Sequence, residues 1–370
     1  MPAGSRPALL PAHAMHPGFR FFAAAIATVA TVATAFLLSA CDSGPQRVVL
    51  NGATMGTTWS VIYASPEKAG ATVSPVELRA LIEGELEAIN QALSTYIPDS
   101  EISRLNAAQG PASVTLSPRF ARVLDAALSL SNVTEGAYDV TVGPLVELWG
   151  FGTRSREGTP PSDAEIDEAM ARVGSRKLSW DAGRATLGRP AGMRIDLSSI
   201  AKGYAVDELS ALLAEQGIAN SLVEIGGELR ASGVRPEGSL WRLAVESPDP
   251  SKARFIEAIA VSDAAVATSG DYRNYFEYEG RRYSHLVDPR TGYPVAHDLV
   301  SVTVVHKNCM IADALATALI VLGQEAALAL AEREGIAAHF VSRGDDGLEV
   351  HYTPAFESYR QSSQADAAKM

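Results

Sequence analysis

From residue 221 to residue 306 one strand-like pattern follows another with no helical period between them. "SLVEIGGELRASG", "WRLAVES", "FIEAIAVSD", "YFEYEGRRYSHLVD" and "VSVTVVH" alternate or cluster β-branched and aromatic residues, with Glu-Gly as one of the turn signals. "TWSVIYA" and "KLSWDAGRATLG" precede them, and "AHFVS" and "LEVHYT" follow. Consecutive strands joined by short turns must pair antiparallel, because a parallel pair needs a long crossover. The expectation is an α+β fold of mixed, mainly antiparallel sheets packed with helices, not a doubly wound sheet.

The helices have their own signals. In "SPVELRALIEGELEAINQAL" Ser74 is the N-cap, Pro75 the first helical residue, and Glu77 completes a capping box. Leu78, Ile82, Leu86, Ile89 and Leu93 form its apolar stripe. Ser117-Pro118 opens a second helix the same way, running to about Ser131. A third is expected near Ala164–Val173, in a polar surface insertion, and a fourth from near Ser198 to Gly217, a natural residue just past a helix end. In "ADALATALIVLG" (312–323) an acid and a hydroxyl, Asp313 and Thr317, stack one turn apart in an otherwise apolar run.

The first forty residues stand apart. Arg6 and Arg20 are their only formal charges, and a largely apolar stretch, Phe21–Leu38, leads to "LSAC". A positive start, an apolar centre and small residues at the cut make an export signal. Leu-Ser-Ala-Cys also matches the bacterial lipobox, in which Cys41 becomes the lipid-bearing first residue. The alternative is a membrane anchor, since such a stretch just suffices to span. Either way the remainder lies outside the cytoplasm, and Asp42 resembles a signal for retention in the inner membrane. The expected layout is a signal peptide over 1–40, a tether over 41–48, one domain over 49–352 and a polar tail over 353–370. Loss of two arginines takes the net charge from −12 to −14 and leaves Cys309 as the one thiol besides Cys41. A chain this acidic, without a basic stripe, does not suit a nucleic-acid surface.

No phosphate-loop, zinc-protease, serine-hydrolase, Cys-x-x-Cys or dinucleotide fingerprint is present. "DLSSIAKGYAVD" (196–207) ends a strand and opens a helix, leaving backbone N–H groups beside Lys202 for an anion; an ordinary strand–helix junction with a solvated Lys reads equally well. "SHLVDPRTG" groups His285 with Asp288, the equipment for moving a proton, or a structural pair. The two glycines of "EIGGELR" suit either a close backbone approach or a bulge. Asp313 and Thr317 are either hard oxygen ligands for Mg2+ or groups bonded to nearby backbone.

Taken together and in order, "MGTTW", "LSTYIPDSEISRLN", "GAYDVTVGPL", "DLSSIAKGYAVD", "EIGGELRASG", "SHLVDPRTG" and "ADALATALIVLG" resemble the ApbE family of FAD:protein FMN transferases over residues 49–352. The resemblance implies Mg2+-dependent cleavage of the FAD pyrophosphate and attachment of FMN to a Thr or Ser hydroxyl of a partner flavoprotein subunit, with release of AMP. It assigns the metal to Asp313 and Thr317, with Ser199 and Ala316 offering further oxygens. Met55, Tyr96, Ala137, Tyr138, Asp139, Asp196, Lys202 and Val287 fall where the family contacts FAD. His285 is the expected base for the acceptor hydroxyl, oriented by Asp288. Ser198-Ser199 stands where the family commonly has Gly-Gly. The expected partner is a periplasmic flavin-bearing subunit of a membrane redox complex. Two other readings compete: a Mg2+-dependent FAD pyrophosphatase, and a lipid-anchored solute-binding protein without turnover.

Overall fold

Eight antiparallel strands carry the molecule. The computed structural model describes residues 46–65, 73–153, 158–249, 251, 255–272 and 274–360. The leader, Cys41 and the last ten residues lie outside them. The described residues belong to one compact unit. The hairpin β1 (Arg47–Thr54) and β2 (Thr57–Ala64) forms one edge of the sheet. Away from it, β3 (Ala112–Thr115), β4 (Ser179–Asp181) and β5 (Thr186–Arg189) make a small separate sheet. The main sheet continues through β6 (Ser221–Ile225), β7 (Glu228–Ser232), β10 (Ala264–Gly270), β13 (Leu299–His306), β14 (Ala337–Gly344) and β15 (Gly347–Tyr352). Every neighbouring pair in it is antiparallel, so the fold class follows the strand spacing.

Two hairpins stand outside this sheet: β8 (Trp241–Glu246) with β9 (Phe255–Val261), and β11 (Tyr275–Tyr278) with β12 (Arg281–Ser284). Along β10 and β13 the side chains alternate between two apolar clusters, as period two requires. Ala265, Ala267, Val302 and Val304 join the larger core, while Ala264, Val266 and Val305 face Trp241, Ile259 and Phe356. Phe356 sits fully buried in a 3-10 turn, Pro354–Tyr359. The packed structure therefore runs past the expected domain end at 352: Phe356 joins the second cluster, and Thr353 hydrogen-bonds the backbone of Ile336 and Ala338.

The helices are α1 (Pro75–Leu93), α2 (Glu101–Ala107), α3 (Pro118–Val133), α4 (Gly143–Leu148), α5 (Asp163–Met170), α6 (Ala201–Glu215), α7 (Cys309–Leu322) and α8 (Gln324–Arg333). The capping box of α1 forms as read, and all five of its stripe residues are buried. Helix α5 lies at the surface as expected, with five of its eight residues exposed, but it is anchored on one side. Its Ile166 and Ala169 pack with Trp149 and Val287, and Gly292 leaves a space that a Cβ would close against Ile166 at 2.7 Å.

Helices α6 and α7 lie together against the sheet, α7 over β10 and β13. A Cβ on Gly203 would sit 2.4 Å from the Cys309 carbonyl oxygen and 2.8 Å from Asp313 Cβ, so only glycine lets the two backbones approach this closely. One turn on, Asp207 accepts hydrogen bonds from the N–H groups of Cys309 and Met310, both at 3.0 Å. Asn308, the residue before α7, supplies no side-chain cap. The carboxylate of a neighbouring helix thus satisfies the orphan N–H groups and fixes where α7 starts.

Candidate active site

A cavity of about 420 Å³ opens between α6, α7, the ends of β7 and β10, and the loop around His285. It brings together Tyr96, Asp196, Ser199, Lys202, His285, Val287, Asp313 and Thr317 from segments spread over more than two hundred residues. Met55, Ala137, Tyr138, Asp139, Asp288 and Ala316 stand outside its lining. Tyr138 reaches it indirectly, since its buried phenol accepts a hydrogen bond from Ser199 Oγ at 3.2 Å. Burial holds that phenol above its ordinary range, so it stays neutral.

Asp313 lies on the floor, its side chain 4% exposed. Oδ2 accepts the Gly203 N–H at 3.0 Å, while Oδ1 faces the Lys202 ammonium, 3.7 Å away. Thr317, one turn further, does not bond back along its helix as one expectation had it. Its Oγ1 pairs with Ser269 Oγ at 3.0 Å, tying α7 to β10. Lys202 Nζ is closer to Glu228 Oε1, at 3.0 Å. Burial works against the Lys202 charge, yet Asp313 and then Glu228 outweigh it and keep the ammonium above its ordinary range. One ammonium cannot neutralise two buried carboxylates. The deficit falls on Glu228, which burial first, and Asp313 beside it, push up to about 8 despite Lys202. Its Oε2 is buried with no hydrogen-bond partner among the described residues.

Glu228 was not among the residues singled out from sequence. It arrives there through Gly226 and Gly227, at φ +61° and +104°, which make a two-residue hairpin turn between β6 and β7. The pair is a tight hairpin turn and not a bulge, Gly-Gly being a recognised signal for one, and the close approach expected of it is there too, since Gly226 lines the cavity. A Cβ on Gly226 would meet Thr57 Cγ2 at 2.8 Å, so the turn also seats the sheet edge. The β1–β2 turn holds Met55 at φ +49°, an uncommon conformation for a side-chain-bearing residue.

His285 Nδ1 lies 3.0 Å from the Asn274 carbonyl oxygen, which fixes Nδ1 as the protonated nitrogen and leaves Nε2 a lone pair. Burial lowers its pKa, so the imidazole is neutral at pH 7. Asp288 is not its orienter. That carboxylate is held by Arg290, through Nε at 2.9 Å and Nη2 at 2.8 Å, and closes the Pro-Arg-Thr-Gly turn instead. A main-chain carbonyl thus does the work expected of an acid, and it leaves no mark in the residue types. Asp139 is likewise engaged, accepting from Thr141 N–H at 2.8 Å and Ser175 N–H at 2.7 Å. Phe151 lines the cavity and continues behind it into a row of packed rings, Phe276, Tyr283 and Trp149, with centroids 5.1–5.7 Å apart. Tyr96, 68% exposed, stands at the rim.

Among the described residues no group of three or more His, Cys, Asp and Glu side chains forms a metal cage. The donor set is a carboxylate and hydroxyls, from Asp313, Thr317, Ser199 and Ser269. That suits a hard cation which keeps several waters, Mg2+ above all, and does not suit zinc.

The family model described as "ApbE family" matches residues 55–340. A FAD:protein FMN transferase of Vibrio cholerae is 42% identical over 328 residues, covering 89% of this chain and 97% of that one. One of Haemophilus influenzae is 40% identical, covering 92% and 99%. Among solved structures, the flavin transferase ApbE of Vibrio cholerae superimposes with a TM-score of 0.79 at 41% identity, covering 85% of this chain and 99% of that one. The flavinyl transferase ApbE of Pseudomonas stutzeri gives 0.79 at 40%, covering 86% and 98%. On this match in sequence, length and fold, the chain belongs to the ApbE family.

Proposed function

We propose that this chain transfers FMN from FAD to a Thr or Ser hydroxyl of a partner flavoprotein, forming a phosphoester and releasing AMP. The observation that carries the reading is the cavity floor, where the buried Asp313 carboxylate and the Thr317 hydroxyl lie beside the Lys202 ammonium. The curated relatives bear the name of that activity. In the reaction the acceptor oxygen bonds to the phosphorus of the FMN half, and the bridging P–O bond breaks toward AMP. His285 Nε2 is the free lone pair that takes the hydroxyl proton. Lys202 presents positive charge to the pyrophosphate, and Tyr96 offers a ring face at the rim. Asp313 and Thr317 would hold Mg2+, with Ser199 Oγ and the Ala316 carbonyl as further oxygens. When bound, Mg2+ supplies charge neutralisation on the phosphates.

The test is incubation with FAD, Mg2+ and a candidate acceptor subunit, read by in-gel flavin fluorescence and AMP release. Fluorescent acceptor, lost when its hydroxyl residue becomes Val, is the expected result. AMP without labelled acceptor would replace transfer by FAD hydrolysis. The leader and Leu38-Ser39-Ala40-Cys41 support a lipid anchor at Cys41, on the periplasmic side of the inner membrane, beside a flavin-bearing redox subunit. Palmitate labelling of the chain, lost in Cys41→Ala, checks the anchor; labelling that survives the substitution would remove it.

A further inference from the structure

Lys202 has a choice of two carboxylates, and the geometry shows which one holds it. Its ammonium is 3.0 Å from Glu228 Oε1 and 3.7 Å from Asp313 Oδ1. Glu228 approaches from β7, set by the Gly226-Gly227 turn, while Asp313 approaches from α7 across the Gly203 contact. Both carboxylates are about 95% buried, against 27% exposure for the lysine side chain. The cation is therefore the mobile member and the two acids are the fixed ones. We propose that Glu228 is a positioning residue which draws the Lys202 ammonium away from Asp313 and so keeps Asp313 Oδ1 open to a divalent cation. Glu228 Oε1 supplies the pull through its 3.0 Å contact with the ammonium, and Glu228 lines the same cavity as Asp313.

The physical reason is competition. An ammonium that closes on a carboxylate in a low-dielectric site occupies the electrostatic position a metal would take. Two buried acids sharing one lysine solve this only if the second acid binds the lysine more closely. Without Glu228, Lys202 would shorten its contact with Asp313 and act as an internal competitor for the cation.

The inference rests on the Mg2+-dependent reading above, and its test separates the two. The apparent melting temperature of the full chain is followed against Mg2+ concentration without FAD, for wild type, Glu228→Gln, Lys202→Met and the double variant. AMP release is measured over the same Mg2+ range. Groups that support a metal site from outside its ligands typically change affinity by about 10–100-fold, and a shift of that size to higher Mg2+ is expected for Glu228→Gln. Removing the competitor should reverse it. Lys202→Met should respond at lower Mg2+ than wild type, and the double variant should recover most of what Glu228→Gln lost. A merely structural role for Glu228 would lower the melting temperature at every Mg2+ concentration without moving the midpoint. An unmoved midpoint in Glu228→Gln beside a responsive wild type overturns the proposal alone. Should Glu228→Gln fail to fold, a Lys202→Met midpoint at or above that of wild type overturns it equally. A wild type that gives no Mg2+ response overturns the metal reading together with this one.

Discussion

Asp207 and Asp313 sit on the same seam between α6 and α7 and differ in one respect: how fully their oxygens are used. Asp207 accepts two backbone N–H groups at 3.0 Å and an Arg230 contact at 2.8 Å. Asp313 accepts one N–H, and its other oxygen has a lysine 3.7 Å away that belongs more closely to Glu228. A saturated acid fixes structure. An acid left short of partners on the wall of a cavity is set for a ligand, because burial without pairing costs several kcal/mol that folding alone would not favour.

Exchanging each for alanine breaks the comparison most sharply. Asp313→Ala is expected to lower Mg2+-dependent AMP release by about 10²–10³-fold, the usual loss for one preorganised electrostatic group. Its melting temperature should hold or rise, since a buried charge has been removed. Asp207→Ala should do the converse. It strips the cap from α7 and leaves Arg230 unpaired, costing about 2–4 kcal/mol of stability in urea titration, with a much smaller loss of turnover per folded molecule. Equal losses of activity in the two variants would show that the seam works as one unit.

Across the sheet, a second buried group sharpens the contrast through pH. His339 on β14 has neither ring nitrogen hydrogen-bonded among the described residues, although Glu257 Oε2 lies 3.5 Å from Nε2. Burial first, and then the nearby Arg360 charge, hold it down to about 4 against an ordinary value of 6.5. The unfolded chain therefore takes up the proton first. Stability is full above pH 6.5 and drains as the pH falls toward 4, by on the order of 3 kcal/mol. His339→Leu should flatten that acid limb in denaturant titrations while leaving the activity profile in place. A limb that keeps its slope would assign the proton uptake elsewhere.

Next in size is Gly203→Ala. The added methyl must displace the Cys309 carbonyl or Asp313 Cβ, so α6 and α7 part slightly, at a cost of about 1–3 kcal/mol. Because the same glycine N–H holds Asp313, activity should fall with stability. Stability lost without activity would place the strain at Cys309 alone.

What was readable in the sequence follows from where the information lies. The α1 cap and stripe are local, and Ser74, Glu77 and Leu78 through Leu93 behave as their spacing dictates. Antiparallel pairing followed from strand succession. Lys202, His285, Asp313 and Thr317 stood out as local patterns, Asp313 and Thr317 by their one-turn spacing, but only the resemblance to a family joined them into one site. The remaining parts depend on partners far away in the chain. Glu228 meets Lys202 only through a Gly-Gly turn that reads equally as a bulge, and the orienter of His285 is a carbonyl. Helix α5 is solvent-facing as read, but its two buried residues, Ile166 and Ala169, are too few to signal the core contact they make.

Tyr96 gives the smallest effect and tests the comparison from the solvent side. It is the counterpart of Asp313 in exposure, an aromatic ring 68% open to water at the cavity rim. A ring in that position gains burial only when a flat ligand covers it, so its contribution belongs to binding and not to folding. Tyr96→Ala should leave the melting temperature unchanged and raise the KM for FAD by about three- to tenfold, the worth of a single aromatic contact. Tyr96→Phe should keep the wild-type KM, because the ring face and not the hydroxyl makes the contact. With kcat untouched, the loss would be uniform binding, felt equally in ground and transition states. A fall in kcat at constant KM would instead move Tyr96 to the reacting phosphates, on the same side of the comparison as Asp313.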